Sequence, residues 1–237
     1  MERVKTMSIV EIKNINKKFG NKEALKNVSL TIEEGKIIGL LGTNGSGKTT
    51  LIKLINDLLV PSDGEILIHG KKPGIESKQM IAYLPERSYL NDSWKVCELL
   101  DFFQDFYSDF DRERACDLLK GFHIDMKDRL KTMSKGTKEK IQLIMVMSRR
   151  AKLYVLDEPI GGVDPAARDY ILDTILNNFE QGASILISTH LISDIERILD
   201  DVIFISNGEV IEHCSADEMR RQNGKSIDEI FREEFRC

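Results

Sequence analysis

The stretch Gly42-Thr43-Asn44-Gly45-Ser46-Gly47-Lys48-Thr49 constrains this chain most, because it fits G-x-x-x-x-G-K-[ST]. It lies between an apolar run, Lys36-Ile37-Ile38-Gly39-Leu40-Leu41, and a helical pattern, Leu51-Ile52-Lys53-Leu54-Ile55. Strand, glycine loop and helix in that order make a phosphate-binding P-loop. The glycines let backbone N–H groups turn inward around an anion. The helix adds unpaired donors and the positive end of its dipole. On this reading Lys48 reaches the β- and γ-phosphates of a nucleotide, and the Thr49 hydroxyl joins the shell of Mg²⁺, a hard cation that prefers oxygen ligands.

A second element completes that reading. Leu153-Tyr154-Val155-Leu156-Asp157 is an apolar strand that ends in an acid, which predicts Asp157 in the Mg²⁺ shell. Glu158 follows directly, placed where a general base orients and deprotonates a water attacking the γ-phosphate. Sites gather at the C-terminal ends of strands in open α/β sheets, and this favours the functional reading over a merely solvated strand end.

In chain order, alternation over Ser8 to Ile15 and the set Val28, Leu30, Ile32 predict two antiparallel strands, with Phe19 in a polar turn, Lys17-Lys18-Phe19-Gly20, between them. Pro61-Ser62-Asp63-Gly64 reads as a turn and Glu65 to Gly70 as a strand of another hairpin. Ile81 to Glu86 reads as a short buried strand stopped by Pro85. From Trp94 to Lys120 the spacing of Val96, Leu99, Leu100, Phe103, Phe106, Ala115, Leu118 and Leu119 is helical. Met133-Ser134-Lys135-Gly136-Thr137 opens a long helix that begins near Thr137. Asp164-Pro165 caps another, and Ala183 to Ser188 is a buried strand before a helix over Leu191 to Leu199. Asn207-Gly208 marks a hairpin, and Ser215-Ala216-Asp217-Glu218 reads as a capping box for one last surface helix.

Hydrophobic residues make 41% of the 237-residue chain and charged residues 31%, with a formal charge of −5. This is an ordinary globular balance that argues against a phosphate-backbone binder, so no nucleic acid is expected. No apolar run approaches the roughly 18 to 20 residues of a membrane helix, and Met1-Glu2-Arg3-Val4-Lys5 lacks the apolar core of a signal peptide. Cys97, Cys116, Cys214 and Cys237 are scattered, which indicates reduced thiols rather than a zinc site or disulfide framework.

The order and spacing of these motifs, from about Ile9 to about Glu212, resemble the nucleotide-binding subunit of ATP-binding-cassette (ABC) transporters. The resemblance implies an α/β P-loop NTPase fold of ABC type: a mixed sheet core, an antiparallel β-subdomain and an inserted α-helical subdomain. It implies one ATPase domain over residues 1–237, with the helical subdomain at about 87–150 and a helical tail at about 213–237. ATP and Mg²⁺ are the implied cofactors. Phe19 sits where the family stacks an aromatic on adenine. Gly42, Thr43, Asn44, Gly45, Ser46, Gly47, Lys48, Thr49 and Thr50 match the Walker A loop and helix start. Asp157 is the Walker B acid, Glu158 the catalytic carboxylate, Asp164 the D-loop acid, and His190 the switch histidine at the γ-phosphate. Ser134 and Gly136 are the retained parts of a signature loop usually written L-S-G-G-Q, with Lys135 in place of its first glycine. Glu86 stands where the family usually has Gln, and is carried over as a metal and water sensor because a carboxylate also ligates Mg²⁺.

The resemblance further implies two such subunits around two ATP molecules, each site using one chain's Walker loops and the other's signature loop. The dimer is self-symmetric or formed with a related chain. The insert from Glu86 to Arg129 faces a separate transmembrane permease, which holds the otherwise cytoplasmic chain at the inner face of the membrane. The altered signature loop and the short C-terminus, ending at Cys237, point to export. The alternatives are a soluble non-transport ATPase of the same family, which usually carries two cassettes or a long coiled-coil insert, and a P-loop kinase, which should lack the signature element, Asp164 and His190.

Overall fold

The computed structural model describes residues 7–235; Met1 to Lys5 and Cys237 lie outside the described residues. Two sheets organise the chain. The first is antiparallel, in the order β2-β1-β4, from β1 (Ser8–Phe19), β2 (Lys22–Glu33) and β4 (Asp63–Ile68). The second has the order β5-β6-β7-β3-β8-β9. Its strands are β3 (Ile37–Leu41), β5 (Ile81–Leu84), β6 (Leu153–Asp157), β7 (Ser184–Thr189), β8 (Asp201–Ser206) and β9 (Glu209–Ser215). All neighbours in it are parallel except the β8–β9 hairpin, so the sheet is mixed.

Nine helices surround the sheets among the described residues: α1 (Lys48–Ile55), α2 (Ile75–Met80), α3 (Val96–Phe106), α4 (Arg112–Gly121), α5 (Lys135–Met147), α6 (Pro165–Asn178), α7 (Ile192–Ile195), α8 (Ala216–Asn223) and α9 (Ile227–Glu234). Period-2 alternation decides which core each strand residue enters. Ile38 and Leu40 of β3, Leu153 and Val155 of β6 and Leu186 of β7 face a core shared with α1 and the antiparallel sheet. Tyr154, Leu156, Ile185 and Ile187 point the other way, into a core closed by α5, α6 and the C-terminal helices. A third cluster, centred on Val96, Leu100, Phe103, Leu119, Ile141 and Ile144, packs α3, α4 and α5 together.

Several local expectations are corrected. Phe19 ends β1, paired with Lys22, and the turn is Gly20-Asn21 with Gly20 at φ 58°. Asp63 and Gly64 belong to β4, which pairs with β1 rather than forming a hairpin of its own. Gly64 sits at φ 90° beside the β1 irregularity, where an added Cβ would stand 2.4 Å from the Asn14 carbonyl oxygen. The helix expected over Leu191 to Leu199 tightens after Ile195 into a 3₁₀ turn, Glu196–Ile198. Ser215 makes no side-chain cap. Ser226 does, accepting from Glu229 N–H, and the capping box there starts a helix that the sequence pattern did not reveal. That helix is not all surface: Ile227 and Phe231 are buried, and Phe231 meets Phe204 edge-on at 5.5 Å.

Candidate active site

Strand order brings three strand ends together. In the register Leu41 pairs with Thr189 and Asp157 with Ser188, so the P-loop, the Asp157-Glu158 pair and His190 emerge side by side. This is the carboxyl edge at which open α/β sheets place ligands.

Two glycines fix the P-loop. A Cβ on Gly42 would stand 2.4 Å from the Ile205 carbonyl oxygen and 2.5 Å from Ser46 Oγ. Gly47 takes φ 116° just before α1, and a Cβ there would meet the Ala24 carbonyl oxygen at 2.9 Å. No side chain caps α1, which leaves its first N–H groups available to an anion. The β8–β9 hairpin clips the loop from behind. Gly208 N–H donates to the Ser46 carbonyl at 2.8 Å, and the Gly208 carbonyl accepts from Lys26 N–H at 2.8 Å.

Lys48 is buried, its ammonium donating to the Gly42 carbonyl at 2.7 Å and the Thr43 carbonyl at 3.3 Å. Burial pushes its pKa below the usual lysine range, against the pull of Glu158 and Asp157. Asp157 Oδ1 accepts from Ser188 Oγ at 2.5 Å and from Thr49 Oγ1 at 3.3 Å. Asp157 Oδ2 is buried with no protein donor. On the Oδ1 side the carboxylate and the Thr49 hydroxyl lie side by side, an oxygen donor set that suits Mg²⁺. Among the described residues no three or more His, Cys, Asp or Glu side chains gather to hold a metal. A cation here would share its shell with phosphate oxygens, as Mg²⁺ in nucleotide sites does.

Glu158 adopts φ 52°, left-handed for a residue with a side chain, a conformation that costs about 1–3 kcal/mol and persists only where the surroundings impose it. They do so here: Glu158 N–H donates to the Ser188 carbonyl at 3.0 Å and to Ser188 Oγ at 3.1 Å, and the Glu158 carbonyl accepts from Gly161 N–H at 3.0 Å. The bend aims the carboxylate across the strand ends, with Oε2 3.0 Å from His190 Nδ1 and Oε1 3.7 Å from Lys48 Nζ.

These groups open onto a cleft of about 770 Å³. Phe19, Asn44, Gly45, Gly47, Lys48, Thr49, Thr50, Glu86, Glu158 and His190 line it. Gly42 and Ser46 are buried within the loop and Thr43 is exposed on it, none of them lining the cleft, and Asp157 lines an adjoining smaller cavity shared with Glu86 and Glu158. Three predicted residues stand apart. Ser134 caps α5, its hydroxyl accepting from Thr137 N–H at 3.1 Å and lying 2.8 Å from Thr137 Oγ1. The helix starts at Lys135, not near Thr137, so Gly136 falls in its first turn, with open space where a Cβ would be. Asp164 caps α6 by accepting from Ala167 N–H at 3.2 Å. None of these three lines the cleft, although Lys135 does.

The sequence reading missed other members of the wall. Lys22, Lys26, Asn207 and Gly208 line it near Phe19. Asn207-Gly208 was legible as a turn, but only the fold carries that turn to the nucleotide cleft. Ser188, which braces both Asp157 and Glu158, was visible only as the last residue of a buried strand.

A glycine loop opening a helix, an acid ending a neighbouring strand and a second carboxylate bent over the loop define a P-loop nucleoside triphosphatase. Within that class the chain belongs to the ATP-binding proteins of ABC transporters: the family model described as ABC transporter matches residues 25–161. The ATP-binding protein YtrB of Bacillus subtilis (strain 168) is 33% identical over 90% of this chain and 74% of its own length. SkfE of the same organism, named the SkfA peptide export ATP-binding protein, is 30% identical, covering 91% of this chain and 93% of its own. A solved structure described as the ATP-binding subunit of an ABC transporter superposes with a TM-score of 0.86 at 29% identity, covering 95% of this chain and 99% of that one. As a member of this family the chain binds and hydrolyses ATP.

Proposed function

We propose that two copies of this subunit, or this chain and a related one, close around ATP to drive a separate membrane permease, and that the direction is export. One observation supports the pairing: Ser134, Gly136 and Asp164 lie on helix starts away from the strand ends, outside the cleft that Phe19, Lys48, Thr49, Glu86, Glu158 and His190 line. They sit at helix starts where a second chain can meet them. In the paired state the N-terminus of α5 approaches the γ-phosphate held by the other chain, adding N–H donors and the Ser134 hydroxyl.

Within one chain, the P-loop N–H groups and Lys48 hold the phosphates, and Phe19 stacks on adenine. Its ring is 48% exposed and already carries Lys17 Nζ 5.0 Å from its centroid, which leaves the other face for the base. Thr49, Asp157 and Glu86 would hold Mg²⁺, which when bound neutralises phosphate charge. Glu158 takes the proton of the attacking water and His190 holds Glu158 in place. Export rests on the resemblance to SkfE, named for peptide export.

The permease is assigned to the helical layer of α3 and α4. Phe102 and Phe106 stack at 5.6 Å on α3 and are 44% and 68% exposed, an apolar ridge suited to another protein. Among the described residues no helix is long and apolar enough to cross a membrane, and we place the chain at the inner membrane face through the permease.

Complementation tests the pairing. Ser134→Arg should block the approach of α5 to the opposing phosphate while leaving ATP binding intact, and Lys48→Ala should lose ATP binding. A mixed dimer then has one site with both residues intact and one with neither. Partial ATPase activity on mixing two inactive variants supports shared sites. Normal hydrolysis by Ser134→Arg alone at low protein concentration contradicts them.

A further inference from the structure

Beneath Glu86, beside the nucleotide cleft, lies a cavity of about 30 Å³ whose wall includes Glu86, Ser88, Glu139, Gln142, Asp157 and Glu158. Gln142 is the unusual member. It sits in the middle of α5 and is only 2% exposed. Its Nε2 donates to the Pro85 carbonyl at 3.3 Å, but no protein group donates to its Oε1. Asp157 Oδ2, on the same wall, is the second buried acceptor without a donor. Buried polar atoms are seldom left unpaired, since each costs about 1–3 kcal/mol.

We propose that this cavity binds a water molecule joining Gln142 of α5 to Asp157 of β6, and that Gln142 is thereby a positioning residue for the phosphate end of the cleft. A water needs about 10–15 Å³ of probe volume and two to four polar partners, and this cavity supplies both. Its two O–H groups satisfy Gln142 Oε1 and Asp157 Oδ2 together, which no side chain on the wall does. The consequence is mechanical as well as local. Asp157 ends the strand proposed to face Mg²⁺, whereas Gln142 belongs to the helix that Ser134 caps. The water links them, so Asp157 and the N-terminus of α5 move as one unit. This consequence rests on the roles proposed above for Asp157 and Ser134; the water site itself does not.

A high-resolution crystal structure of the full chain tests the site. It should show one water within hydrogen-bonding distance of Gln142 Oε1 and Asp157 Oδ2, lost in Gln142→Leu. Binding of a fluorescent ATP analogue tests the role. Gln142→Leu should match the wild type within about twofold in EDTA, yet need about tenfold more Mg²⁺ for half-saturation, the lower end for losing an outer-sphere partner. A wild-type structure with no water bridging the two atoms, or with a metal ion there, overturns the proposal. So does an unchanged Mg²⁺ midpoint in Gln142→Leu. Should that variant fail to fold, the wild-type structure decides alone. Complementation between Ser134→Arg and Lys48→Ala is independent of this cavity, so the two readings fail separately.

Discussion

Glu158 spans the site: its Oε2 lies 3.0 Å from His190 Nδ1 and its Oε1 3.7 Å from Lys48 Nζ, so one carboxylate connects the P-loop helix to the end of β7. Both contacts are to groups that a γ-phosphate also attracts. On the roles proposed above, nucleotide entry competes with Glu158 for Lys48, while the His190 contact holds the Glu158 carboxylate in place.

His190→Ala removes that hold without touching the P-loop. The kcat for ATP should fall about 100-fold, within the range for a displaced general base, while the Kd for ATP changes less than about threefold. Steady-state rates beside equilibrium binding make the comparison. A variant that loses binding and turnover equally would place His190 in phosphate holding instead.

Phe19→Ala removes one stacking face at the base end of the cleft. Stacking a base on an aromatic is worth about 1–3 kcal/mol, so ATP should bind about tenfold more weakly and inorganic triphosphate unchanged. Calorimetry with both ligands distinguishes the cases. Equal loss for both would contradict adenine stacking.

Asp157 gives a test of stability against function. Burial pushes its carboxyl above the ordinary carboxylate range, and the bonds from Ser188 and Thr49 offset this only in part. A raised folded-state pKa means that the fold favours the protonated form, so this contribution is present at low pH and lost as pH rises through the raised value. At neutral pH the ionised group is a net cost. Asp157→Asn should therefore raise the Tm of the nucleotide-free chain by about 2–4 °C, the equivalent of about 1 kcal/mol at this length, while abolishing Mg²⁺-dependent hydrolysis. A lower Tm at neutral pH would show that the ionised carboxylate stabilises the fold.

Arg149 joins the helical layer to the sheet. It is 3% exposed, donates from Nε and Nη2 to Asp109 at 3.0 Å, from Nη1 to the Ile81 carbonyl at 2.5 Å and from Nη2 to the Gln79 carbonyl at 2.8 Å, and stacks 4.0 Å from the Tyr107 ring centre. Arg149→Met leaves those acceptors unpaired and should cost about 3 kcal/mol, read as a lower urea midpoint. A change under about 0.5 kcal/mol, the size of a neutral surface substitution, would show that the joint is not structural.

The sheet core, the glycine loop and the Asp157-Glu158 strand end were legible as local structure because their signals are local. The P-loop, the acid ending an apolar run and the capped helix at Asp164 each depend on residues within a few positions of one another. What escaped depends on tertiary placement. The terminal helix α9 has its own capping box at Ser226, but the helix pays off only when Phe231 reaches Phe204. Lys22 and Lys26 carry no residue-type signal and enter the cleft because β2 runs beside the P-loop. Ser188 braces Asp157 only because β6 and β7 are neighbours in register. The Phe19 turn was misplaced because strand pairing continues through two lysines that read as loop.

If ATP itself drives pairing, the solution mass of Glu158→Gln will follow the nucleotide. The amide keeps the shape of the carboxylate but cannot accept the proton of the attacking water, so ATP should bind and persist. Light scattering with Mg²⁺ and ATP should give twice the 27.0 kDa chain mass, and the single-chain mass once ATP is removed. A Glu158→Gln chain that stays at the single-chain mass with saturating ATP, or that hydrolyses ATP at the wild-type rate, would contradict the account.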